Sequence, residues 1–128
     1  MRIATASVFV NDQDRAEQFY TKTLGFQIKH NEDMGNGNRW LTVVPPDRQD
    51  DIELLLEPNQ HPAAGTFQKA IYEDGIPAIV FSTADLDGEY ERLKDKGVRF
   101  TQEPADMFGT RMAIFDDTCG NLICVVQE

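Results

Sequence analysis

Two seven-residue stretches, GNRWLTV from Gly37 to Val43 and GTRMAIF from Gly109 to Phe115, place a glycine, a polar residue and an arginine before an apolar run. They lie 72 residues apart. The same offset carries Val8-Phe9 onto Val80-Phe81, Glu17 onto Glu89, Lys22 onto Lys94 and Gly25 onto Gly97. The matches fall on equivalent structural signals. A long period present in two copies indicates a duplicated half-domain rather than a solenoid.

Each copy reads in the same order. A short β run comes first, Ile3 to Val10 and Ile76 to Ser82. Asn11-Asp12 and Thr83-Ala84-Asp85 then supply side-chain oxygens for the free N–H groups of a helix start. Apolar residues recur at helical spacing: Ala16, Phe19, Tyr20 and Leu24 in the first copy, Leu86, Tyr90 and Leu93 in the second. Gly25 and Gly97 suit the left-handed position that ends a helix. Three more strands are expected per copy, over Phe26–Asn31, Arg39–Val44 and Asp51–Leu56, and over Arg99–Thr101, Arg111–Phe115 and Leu122–Gln127. Asp117 to Asn121 forms a tight turn. The segment Glu57 to Gly75 joins the copies and holds a short helix over Phe67–Tyr72.

The chain of 128 residues is one typical domain or two small half-domains sharing a core. No apolar run reaches the roughly 20 residues of a membrane span, and MRIATASVFV does not resemble a signal peptide. A net charge of −10 disfavours nucleic acid as a partner; it agrees with a cytoplasmic protein and with a cationic ligand. Cys119 and Cys124 are not spaced as a redox or zinc pair and read as free thiols.

The stretches VFVNDQDRAEQFYTKTLGF (8–26), DIELLLE (51–57), AIVFSTADLDGEYERLKDKGV (78–98) and GTRMAIFDDTCGNLICVVQ (109–127) together resemble the vicinal oxygen chelate superfamily. That group includes glyoxalase I, bleomycin-resistance proteins and extradiol dioxygenases. The resemblance implies one domain over residues 1–128, with half-repeats at about 1–57 and 75–128. It implies an α+β fold in which two βαβββ repeats form a curled mixed sheet around a trough, with helices on the convex face. Metal-dependent members place ligands in the first and last strand of each unit. The matching positions here are Thr5, Glu53, Pro77 and Cys124. Only Glu53 is a good ligand, since proline cannot coordinate through its side chain and a threonine hydroxyl is a poor donor. No metal and no cofactor is therefore expected, which removes the Lewis acid of the isomerase and dioxygenase chemistries. His30, on a peripheral strand, and His61, in the linker, are expected at the surface.

Strand alternation, phased on those positions, puts Thr5, Ser7, Phe9, Arg39, Glu53, Phe81, Arg111, Phe115 and Cys124 on the trough face. Leu41, Leu55, Ile79, Ala113, Leu122 and Val126 would join them. Ala6, Val8, Val10, Trp40, Val44, Ile52, Leu54, Leu56, Ala78, Val80, Met112, Ile114, Ile123 and Val125 would face the helices. Met107-Phe108 would form a rim with Trp40 and Phe67. A carboxylate among apolar neighbours needs a partner, and Arg39, Arg111, Thr5 and Ser7 are the candidates for Glu53. No base is placed to activate Cys124.

The expected function is metal-free binding of an apolar or amphipathic small molecule by a homodimer, through Thr5, Ser7, Phe9, Arg39, Glu53, Phe81, Phe108, Arg111, Phe115 and Cys124. Neither a nucleic acid nor a membrane is an expected partner. The alternative is a glyoxalase- or dioxygenase-like lyase or oxidoreductase whose rearranged metal site retains Glu53.

Overall fold

The computed structural model describes all residues from Met1 to Glu128. The chain divides into two compact units, Met1–Thr66 and Phe67–Glu128.

The first unit begins with β1 (Thr5–Val10), then α1 (Gln13–Gln18), which widens into a π-turn over Phe19–Thr23. Then come β2 (Gln27–Gly35), β3 (Asn38–Val44) and β4 (Glu53–Pro58). The second unit repeats the order with β5 (Ile79–Thr83), α3 (Leu86–Asp95), β6 (Phe100–Met107), β7 (Thr110–Asp116) and β8 (Leu122–Gln127). Between them runs α2 (Pro62–Glu73), in which the unit boundary falls. The fold is α+β.

Each sheet has four strands, ordered β1-β4-β3-β2 and β5-β8-β7-β6. The edge pairs β1/β4 and β5/β8 are parallel and the rest antiparallel. Parallel pairing requires a crossover, and α1 or α3 begins it in each unit. Both helices start on the aspartate that the sequence offers. Asp12 accepts from the Arg15 N–H, and Asp85 from the Gly88 N–H. Gly25 and Gly97 take the left-handed conformation just beyond the helix ends, at φ 95° and 84°.

Three elements outrun their sequence signals. The strand expected over Phe26–Asn31 continues to Gly35, because Asn36 and Gly37 take φ 57° and 78° and close a two-residue hairpin. Phe108 and Gly109 do the same, at φ 53° and 78°, and extend β6 to Met107. Helix α2 starts five residues before the expected Phe67, with Pro62 at the favoured first position. His61 caps it, Nδ1 accepting from the Ala63 N–H at 3.1 Å.

The turn between β7 and β8 is built around buried Asp117. One of its carboxylate oxygens accepts from the N–H groups of Cys119 and Asn121, and the other from the Asn121 side-chain amide. Gln68 of α2 closes over the turn, donating to the Cys119 carbonyl and the Asn121 side chain. Gly120, at φ 99°, takes the left-handed conformation that favours glycine, and a Cβ there would press on the Gln68 amide at 2.7 Å.

Candidate functional site

Strand register decides which side chains share a face. In the first unit Thr5 lies opposite Glu53, Ser7 opposite Leu55, Leu55 opposite Thr42, and Thr42 opposite His30. Residues directly opposite one another point to the same side. The face away from α1 therefore carries Thr5, Ser7, Phe9, Trp40, Thr42, Glu53, Leu55 and His30. Leu41 and Val43, wholly buried, lie on the other side with Leu54 and Leu56.

Glu53 faces as the sequence implies, but its neighbours are not those expected. Its Oε1 lies 2.7 Å from His30 Nδ1 and accepts from the Thr42 hydroxyl at 2.7 Å. That hydroxyl in turn accepts from the His30 backbone N–H at 3.1 Å. The Thr42 hydrogen bond holds the Glu53 carboxyl below its ordinary value; burial pushes the other way, and His30 and then Lys29 add to the lowering. Glu53 is thus a carboxylate. A carboxylate oxygen cannot donate, so His30 Nδ1 carries the proton between them. Neither His30 nor Thr42 was among the sequence-derived site residues. Thr42 looked like one more residue of an apolar strand, and His30 like a surface group at the sheet edge.

Strand β3 lies the other way up from the expected alternation. Arg39 lies on the α1 side, where its guanidinium donates to Glu17 at 2.6 Å and to Asp14 at 2.8 Å. Its backbone N–H and C=O are both held by the Gln13 side chain. The same correction applies in the second unit. Arg111 donates to Asp87 of α3 at 2.8 Å and lies 3.7 Å from Asp106. Phe115 is buried against Phe100, which meets Tyr90 of α3 edge-on. Phe81 lies opposite Val125, itself opposite Ala113, on that same helix side. Arg39, Phe81, Arg111 and Phe115 therefore leave the helix-free faces, and Trp40, Val80, Met112 and Ile114 join them. The error was one residue in β3, β5 and β7, enough to invert every side chain. Acidic residues on α1 and α3 were the overlooked signal, since Asp14 and Glu17 in one unit and Asp87 in the other give each strand arginine a partner on the helix side.

On the helix-free face of the second unit, Cys124 lies between Val80 and Ile114. Burial pushes its thiol up, so it is held as an unreactive S–H. Phe108 stands at its hairpin tip, 96% exposed. Tyr72, Arg99 and Asp116 form a separate polar group. Arg99 donates to Asp116 at 2.9 Å and to the Tyr72 hydroxyl at 3.1 Å, and Tyr72 donates to Asp116. Burial raises the Asp116 carboxyl, but Tyr72, the Thr118 N–H and Arg99 outweigh it and leave the group low.

Comparison with known proteins gives these faces a context. The Glyoxalase/Bleomycin resistance protein/Dioxygenase superfamily description matches residues 2–125. The chain belongs to that superfamily. The superfamily's metal-dependent members raise the question of a metal here. No group of three His, Cys, Asp or Glu side chains in this chain is placed to share an ion. The one carboxylate–imidazole pair is spent on a mutual hydrogen bond, with a threonine hydroxyl as third neighbour, so the donor set does not fit a divalent cation.

Among superfamily relatives, the Bacillus subtilis (strain 168) protein YurT is 56% identical over the whole of both chains. The crystal structure of UcmS2 is 32% identical, covers 100% of this chain and 98% of its own, and superposes with a TM-score of 0.85. TnmS3, an antibiotic binding protein from Streptomyces sp. CB03234, is 28% identical over 99% of this chain and 95% of its own, with a TM-score of 0.75.

Proposed function

We propose that this superfamily member is a metal-free small-molecule binding protein of the bleomycin-resistance type, acting in the cytoplasm as a homodimer. It takes an amphipathic ligand on the helix-free sheet faces. One observation carries the reading: a carboxylate on a helix-free sheet face that also carries Phe9, Trp40 and Leu55, held by Thr42 and His30 rather than by a metal-ligand set. Such a face offers apolar area for affinity and a few fixed polar atoms for orientation, the usual make-up of a ligand site. Thr5, Ser7, Phe9 and Glu53 are the contact residues in the first unit, Cys124 and Phe108 in the second. The antibiotic binding of TnmS3 supports this ligand class.

Sequestration needs affinity and no bond-making, which agrees with an unreactive Cys124. The test is a thermal-shift screen against antibiotics of several chemical classes, followed by calorimetry of the hits. A ligand bound at a hundred times its Kd stabilises the fold by about 2.7 kcal/mol, readily seen as a raised Tm. If no compound raises Tm, or if metal-loaded protein turns over glyoxalase or dioxygenase substrates, the reading is wrong.

A further inference from the structure

Resting on that small-molecule reading, we infer that His30 and Trp40 form a subsite for a phenolic ring, with His30 Nε2 accepting the hydrogen bond of the phenol O–H. Three observations meet here. First, Nδ1–H of His30 is committed to the Glu53 carboxylate at 2.7 Å. In a neutral imidazole the second nitrogen is then a lone-pair acceptor. Second, that nitrogen makes no hydrogen bond, and no unpartnered polar side-chain atom is buried, so it is open to a ligand. The His30 side chain is 41% exposed and that of Glu53 22%, so the imidazole is the more accessible member of the pair. Third, Trp40 is two residues from Thr42 on the same face, and Thr42 is the cross-strand partner of His30. The indole is therefore a diagonal neighbour of the imidazole, within the reach of an aromatic side chain. It is 37% exposed, which leaves ring surface for stacking.

The chemistry selects a donor-bearing aromatic. In the neutral imidazole Nε2 and the second oxygen of Glu53 are both acceptors, so an acceptor-only head group finds no donor there. A neutral phenol satisfies the open lone pair and presents a flat ring to the indole.

The probe is 4-methylphenol, whose O–H stays protonated at neutral pH, with 4-methylanisole as the same ring lacking the O–H. Binding is read by calorimetry and by fluorescence, since Trp40 is the one tryptophan in the chain. The wild-type protein should bind the phenol about tenfold more tightly than the anisole, the worth of one well-placed hydrogen bond. His30→Gln should bring the phenol down to the anisole level, while His61→Gln changes neither. In wild-type protein, two-dimensional NMR of the two histidines should show Nε2 of His30, and not of His61, shifting on addition of the phenol. This reading stands even if His30→Gln fails to fold. Equal binding of phenol and anisole, no saturable binding of either, or an unmoved His30 resonance overturns the inference. If the antibiotic screen nevertheless gives hits that His30→Gln still binds, the small-molecule function survives and only this subsite fails. An empty screen removes both.

Discussion

At the scale of single residues, Glu53 governs how the first unit answers to acid. Its folded-state carboxyl is held below the ordinary 4.5, and that of Asp116 in the second unit below the ordinary 3.8. A depressed carboxyl contributes stability that is whole above the unfolded-state value and drains away as pH falls through the folded one. Thermal melts between about pH 6 and pH 2 should therefore show Tm falling from near the ordinary carboxyl values downward. Glu53→Gln keeps the shape and removes the charge. It should lower Tm at neutral pH by the equivalent of about 1 kcal/mol and flatten part of the acid-side slope. A variant as acid-sensitive as wild type would show that Glu53 is not ionised beside Thr42 and His30.

At the scale of elements, the repeated arginines fasten strand to helix. Arg39 of β3 spans to Asp14 and Glu17 of α1, and Arg111 of β7 to Asp87 of α3. The first is the more enclosed, the Arg39 side chain being 22% exposed against 37% for Arg111. Arg39→Met retains the apolar stem and leaves two carboxylates unpaired; it should cost about 1–2 kcal/mol in urea unfolding, and Arg111→Met less. Gln13 strengthens the same junction. Its amide bonds the Arg39 backbone and the Leu56 carbonyl at the end where β3 and β4 no longer pair. The β6–β7 hairpin is the opposite case. Phe108 takes a left-handed φ of 53°, where a bulky side chain is strained and asparagine or glycine is preferred. Phe108→Asn should raise stability by about 1 kcal/mol in the same assay. If Phe108 contacts ligand as proposed, that variant should bind the screening hits more weakly while melting higher.

At the scale of the whole molecule, each four-stranded sheet ends in unpaired edge strands, β1 and β2 in one unit, β5 and β6 in the other. Exposed apolar side chains remain, including Met34, Val80 and Phe67. Pairing of two chains would cover such surface. The proposed homodimer should bury more than about 1,200 Å² in total, the size of a specific interface. Light scattering coupled to size exclusion at micromolar concentration should return twice 14.5 kDa. A monomer at every concentration would remove the dimer from the proposal.

The sequence by itself determined the duplication, the βαβββ order, the helix caps and the superfamily. These rest on local signals: a capping aspartate, a glycine at a left-handed position, and apolar residues at fixed spacing. Glu53 was legible as the central polar residue because few charged groups interrupt the strand runs. Only the tertiary structure decided what surrounds it. His30, Thr42 and Glu53 come from three strands, and their meeting depends on a register that a bulge in β2 shifts near His30. Alternation in β3, β5 and β7 is apolar in both phases, so a chain read by itself cannot say which side is up. Arg39 shows the physical reason. Its long apolar stem and charged tip suit either face, and the choice fell to Asp14 and Glu17, residues far away along the chain and adjacent only once α1 lies across the sheet.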